Sequence, residues 1–137
     1  MTTMTLKHTI LAAASFAGTL WLLAAAAPAQ DRAAQGEQLF RTRCGSCHTV
    51  QQGVNRVGPS LAGVIGRRAG SVEGARYSRA LQSSNITWDE HALDEYLAAP
   101  ARKVPGTTMA IAVPNADQRG AIIAYLARNG GGTPPSP

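Results

Sequence analysis

Apolar positions along the chain form one long unbroken run and three shorter periodic stretches, separated by polar and glycine-rich sequence. Residues 10–27 are almost wholly apolar without periodicity, and Ala27-Pro28-Ala29 follows as a small-residue processing site after a short polar start holding Lys7 and His8. Residues 1–29 are therefore expected to be a signal peptide, cut after Ala29 to leave Gln30 first. The alternative is an uncleaved anchor, because the run approaches the length that spans a bilayer. Ala33, Gly36, Leu39 and Phe40 then recur at helical spacing, which predicts a helix over 32–43 capped by Asp31. Gly36 costs that helix stability relative to alanine, so its expected use is the close approach of another backbone.

Residues 49–84 lack periodic runs and are rich in Gly, Ser and Arg, which reads as loop with at most a helical turn over 61–65. Periodicity returns at Thr87-Trp88-Asp89-Glu90, a capping box with Thr87 as the cap. Trp88, Ala92, Leu93, Tyr96 and Leu97 mark one face of the helix it starts, which ends before Pro100. An extended, proline-punctuated stretch leads to Met109. Asn115 and Gln118 open a last helix over 116–129, with Ile122, Ile123 and Leu126 as its stripe, Tyr125 beside it and Gly130 as its stop. Residues 131–137 read as a disordered tail. No strand pattern is visible, so the expected fold is all-α: three main helices and long loops in one domain over 30–130.

Composition sharpens this picture at two points. Removal of the leader leaves 108 residues, marginal for a self-sufficient apolar core. A loop as long as 49–84 belongs in a compact domain only if it wraps something. Of the 13 Lys and Arg only Lys7 lies in the leader and none of the 8 acidic residues does, so residues 30–137 carry 12 bases against 8 acids, +4. That balance suits docking to acidic partners. The bases are scattered and not interleaved with aromatics, which argues against nucleic acid.

What the loops wrap is indicated by Cys44-Gly-Ser-Cys-His48, which holds both cysteines of the chain. The C-x-x-C-H spacing is that of covalent c-type haem attachment: two thiols one turn apart reach one porphyrin edge, and the next imidazole meets the iron. A zinc site would need further ligands at short spacing, and a thioredoxin-like site would need a βαβ setting; the sequence offers neither. For the other face of the iron, cleavage leaves Met109 as the only thioether and His91 as the only competing imidazole. His91 falls in the first turn of a charged helix, a solvent-edge position. Met109 falls in a loop with no apolar stripe to account for it.

The order and spacing of these motifs resemble the class I cytochromes c, nearest to the mitochondrial-like periplasmic group of bacteria. The resemblance covers about 35–129 and rests on Gly36 with Phe40, Cys44-Gly-Ser-Cys-His48, Gly58-Pro59-Ser-Leu61, Gly66-Arg67, Tyr77, Ile86-Thr-Trp88, Leu93-x-x-Tyr96-Leu97, Pro105-Gly-Thr107-x-Met109 and Ile123-Ala-Tyr125-Leu126. It implies the cytochrome c fold around one haem c, held covalently through Cys44 and Cys47, with His48 and Met109 as axial ligands. It implies that the Pro59 carbonyl accepts the ring N–H of His48, a contact that orients the imidazole and strengthens it as a donor. Arg67, Tyr77, Trp88 and Thr107 match positions that hydrogen-bond a haem propionate, Tyr96 matches the tyrosine near the methionine sulfur, and Gly36, Phe40, Tyr125 and Leu126 match the crossing of first and last helices.

Departures bear on partners more than on chemistry. Leu81 stands where asparagine is frequent, Ile111 where an aromatic is common at the haem edge, and Thr108 where many members carry lysine. Lys103 is the one lysine outside the leader, so an arginine-biased set, Arg43, Arg56, Arg102 and Lys103, replaces the familiar lysine ring. The expected function is that of a monomeric, non-enzymatic, periplasmic one-electron carrier between membrane or periplasmic redox proteins with acidic docking surfaces. The alternatives are a haem subunit of a dehydrogenase or oxidase complex, and a ligand-binding or peroxidase-like haem protein.

Overall fold

The computed structural model describes residues 27–129; the expectations for the leader before Ala27 and for the tail lie outside them. Five helices follow one another: α1 (Ala27–Arg43), α2 (Arg79–Gln82), α3 (Glu90–Ala98), α4 (Pro100–Lys103) and α5 (Ala116–Arg128). The three long ones are the three expected, and the described residues contain no strand. A single antiparallel bridge joins Arg68 to Thr87.

Helix α1 begins earlier than expected, so Asp31 lies inside it and is not its cap. The cap of α3 is Asp89, whose Oδ1 accepts the Ala92 N–H at 2.7 Å, and not Thr87. Thr87 is held in the bridge, flanked by Ala69 N–H to Ile86 O at 2.8 Å and Trp88 N–H to Arg67 O at 2.9 Å. Asn115 caps α5 as expected, accepting the Gln118 N–H at 3.0 Å. The helical turn expected over 61–65 is instead a pair of non-helical turns. Single-turn helices occur elsewhere: Ser78 caps α2, and Pro100, expected only as a stop, is also the first residue of α4.

Helices α1 and α5 pack on each other through a crossing that only glycine permits. A Cβ on Gly36 would stand 1.9 Å from the Ala121 carbonyl oxygen. Beside that point Phe40 and Tyr125 meet with ring centroids 5.4 Å apart, tilted by 45°. Together with Leu93, Leu97 and Val104, the buried Ile122, Ile123 and Leu126 form one apolar core. Helix α3 packs on α5 and on α4, so the N-terminal and C-terminal helices close one wall while 44–88 and 104–113 enclose the space in front of it.

Candidate functional site

The end of α1 flows directly into the C-x-x-C-H stretch. The N–H groups of Cys44 and Gly45 both donate to Phe40 O at 2.8 Å, and His48 N–H donates to Cys44 O at 2.8 Å, so the motif continues as a helical turn. The thiols of Cys44 and Cys47 are free and half-buried. Desolvation pushes the Cys44 thiol above its ordinary range, against the lowering effect of Arg43.

Residues 49–60 fold back to hold the imidazole. The buried Thr49 donates its hydroxyl to Val54 O at 2.7 Å, and the buried Ser60 donates to Gln51 O at 2.6 Å. Gly58 N–H donates to Cys47 O at 2.8 Å. The outcome is that Pro59 O lies 2.8 Å from His48 Nδ1. With the proton on Nδ1 that nitrogen donates, and Nε2 keeps the lone pair a metal needs. Gly58 is part of the same clasp: a Cβ there would lie 2.4 Å from His48 Cε1 and 2.8 Å from Nδ1.

All ten residues expected to form the site, Cys44, Cys47, His48, Pro59, Arg67, Tyr77, Trp88, Tyr96, Thr107 and Met109, line one cavity. Its remaining walls are mainly apolar, among them Leu61, Val64, Leu93, Leu97, Val113, Ile122 and Leu126. Two thiols, an oriented imidazole and a thioether in a largely apolar hollow are a donor set suited to a haem attached through both cysteines. That group supplies one-electron chemistry at iron; the chain's part is to ligate it, anchor it and keep water away.

Individual side chains are used in ways the motifs did not specify. Arg67 donates from Nη1 to Ala62 O at 2.7 Å and from Nη2 to Ser60 O at 2.9 Å, bracing the loop that carries Pro59. Burial lowers its pKa, yet a guanidinium stays charged in a protein, so a fixed cation faces the cavity. The Tyr96 hydroxyl lies 2.7 Å from Thr107 Oγ1, which also accepts the Met109 N–H at 3.3 Å. Burial raises the Tyr96 phenol above its ordinary pKa, opposed by its Thr107 hydrogen bond. Trp88 packs against Tyr96 at 5.0 Å between centroids, and Tyr77 accepts a long N–H bond from Val72, 3.4 Å. Leu81 also lines the cavity, as an apolar wall.

His91 stands outside the cavity, its side chain 82% exposed and its Nε2 3.8 Å from Glu95 Oε1. Lys103 pairs with Glu95 and Arg56 donates to Gly45 O, so two of the four bases expected on the docking surface have intramolecular partners. Arg76 lines the site without having been singled out, and Gly58 and Ser60, quoted only as parts of the Gly58-Pro59-Ser-Leu61 motif, turn out to support it.

The comparisons with known proteins agree with this geometry. A family model for cytochrome c matches residues 33–129. Over 95 residues, 68% of this chain and 88% of the relative, it is 46% identical to a cytochrome c2 of Rhodoblastus acidophilus. A cytochrome c2 of Blastochloris viridis is 44% identical over 113 residues, 80% of this chain and 87% of that protein. A cytochrome c of Gibberella zeae is 46% identical over 94 residues, covering 67% and 89%. Matched from the first turns of α1 to the end of α5, with the thiols and imidazole in place, the chain belongs to the class I cytochromes c, electron carriers that hold haem c covalently.

Proposed function

We propose that the protein is a periplasmic one-electron shuttle in which His48 and Met109 bind the iron from opposite sides and Cys44 and Cys47 hold the porphyrin. The observation that carries this reading is the convergence of Cys44, Cys47, His48 and Met109 on one cavity, with His48 Nδ1 already engaged by Pro59 O. Each thiol adds across one vinyl group, S to one carbon and H to the other, so attachment consumes no electron. Two protein ligands then leave no coordination position for a substrate, and sulfur ligation favours the ferrous state. Arg67, Tyr77, Trp88 and Thr107 are the donors available to the propionates, and a carboxylate in a small domain needs several. The test is the spectrum of the purified ferric protein: a sulfur-to-iron charge-transfer band at neutral pH is expected, and its absence refutes methionine ligation.

The mouth of the cavity sets the partner chemistry. Val57 and Ile111 are 73% and 50% exposed there, with Thr108 and Ala110 beside them and Arg43 and Arg76 on the rim. In this reading, redox partners present an apolar patch edged with carboxylates, and the residues before Gln30 are the leader that delivers the chain to the periplasm as a monomer. Attraction of this sort raises the encounter rate more than it tightens the complex. Electron-transfer rates with an acidic partner protein should therefore fall as salt rises. Val57→Ser should weaken productive docking at every ionic strength, leaving the slope against salt unchanged; a rate independent of salt removes the steering.

A further inference from the structure

The loop carrying Met109 is fastened to α3 at both ends, and both fastenings are ionic. Asp94 and Glu95 are consecutive on α3, and each holds a base from a different side of that loop. On the C-terminal side, Arg119 donates from Nε to Asp94 Oδ1 at 2.7 Å and from Nη2 to Oδ2 at 3.2 Å. Its Nη1 donates to Pro114 O at 2.7 Å and Val113 O at 3.1 Å. One guanidinium thereby joins α3, the first turn of α5 and the chain segment between Met109 and α5. On the N-terminal side Lys103, the last residue of α4, pairs with Glu95 Oε2. Between these points 104–114 is held by Val104 N–H to Pro100 O at 2.8 Å, Thr107 N–H to Val104 O at 3.0 Å, Met109 N–H to Thr107 Oγ1, Val113 N–H to Leu97 O at 2.8 Å and the neutral hydrogen bond of Thr107 to the Tyr96 hydroxyl on α3 at 2.7 Å.

We propose that Arg119 with Asp94, and to a smaller degree Lys103 with Glu95, are positioning residues that keep the Met109 loop closed over the iron. The proposal rests on Met109 as the iron ligand and adds to it what sets the frequency of loop opening. The two fastenings are unequal for physical reasons. The Asp94 side chain is 40% exposed, but that of Arg119 is only 12% exposed and its fork is matched by both oxygens of the carboxylate, a charge-assisted geometry that is fixed in advance. Lys103 and Glu95 are 30% and 44% exposed, where water and salt weaken a point-charge pair. Neither acid nor base lines the cavity, so these four act only through the loop and not by contact with haem.

Exogenous imidazole gives a direct readout. For it to bind the ferric protein the iron–sulfur bond must break and an iron–nitrogen bond form, with no change of oxidation state, and Met109 must move aside first. At saturating imidazole the rate approaches that of loop opening. In the full haem-loaded protein, Asp94→Asn and Arg119→Met should each raise that rate about tenfold, and Glu95→Gln about twofold, the latter difference fading at high salt. Glu37→Gln, which breaks the Glu37–Arg41 pair on α1, is the control and should leave the rate unchanged. Asp94→Asn keeps the guanidinium and its two carbonyl bonds, so it carries the test if Arg119→Met does not fold. Rates within twofold of the parent for Asp94→Asn, or an equal acceleration in Glu37→Gln, overturn the proposal alone. A parent protein without the sulfur-to-iron band overturns the ligand assignment and the proposal together.

Discussion

Met109→Ala is expected to abolish the sulfur-to-iron band, to lower the reduction potential by a few tenths of a volt, within the roughly 0.8 V that axial ligands span, and to let carbon monoxide bind the ferrous protein. The size of the effect follows from the lack of a substitute. Beyond residue 29 Met109 is the only thioether of the chain. His91 lies on the solvent face of α3, and Lys103 is paired with Glu95. The Tyr96 hydroxyl is engaged by Thr107. Water is therefore the expected sixth ligand of the variant, an oxygen donor that favours the ferrous state less than sulfur does. Redox titration and carbon monoxide binding check the two halves separately. A variant that still excludes carbon monoxide would mean that another side chain reaches the iron, contrary to the arrangement described.

Gly58→Ala should also be strongly damaging, and its target is the imidazole. The added methyl would lie 2.4 Å from His48 Cε1, 2.8 Å from Nδ1 and 3.0 Å from Nε2, so it overlaps that edge of the ring. Little there can yield. The ring is rigid and held by Pro59 O, and Gly58 is itself tied to Cys47 O by its N–H. Either the imidazole turns and loses the Pro59 contact, or residues 56–60 move outward and open their internal bonds. Forced overpacking of this kind costs about 3 kcal/mol or somewhat more. Denaturant unfolding of the haem-loaded protein measures that loss, and a shifted reduction potential reports that the imidazole is no longer oriented as before. Unchanged stability together with an unchanged potential would mean that the loop moves freely and that Pro59 does not fix the ring.

Much of the site was legible because its chemistry uses residue types that are scarce in this chain. Two cysteines, one histidine beside them and one methionine beyond residue 29 leave few combinations, and the ten residues named from motif and resemblance line one cavity. The long helices were legible for the same reason that they are stable: their apolar stripes face a common core. Local chemistry was ambiguous wherever two residues could do one job. Thr87 and Asp89 are both cap formers, and a bridge to Arg68, distant in sequence, leaves the cap to Asp89. Helices α2 and α4 are single turns, too short to carry a period. Arg67 could be placed in the site from the resemblance, but its bonds to Ser60 O and Ala62 O depend on the path of the loop. The Arg119–Asp94 pair joins residues 25 apart on different helices, and nothing local to either announces it.

The reach of α1 to Ala27 has a consequence for the proposed leader. Helix α1 includes Ala27, Pro28 and Ala29, so the peptide bond after Ala29 lies within the helix. Proteolysis acts on locally opened chain. A cut after Ala29 would therefore have to come before α1 forms or wait for that part of it to open. The crossing of α1 on α5 at Gly36 joins parts of the chain made first and last, and it cannot form until α5 is present. Until that moment α1 has no partner helix to hold it closed. In the proposed reading, leader removal and haem attachment, both at or beside α1, would share the interval before the last helix docks.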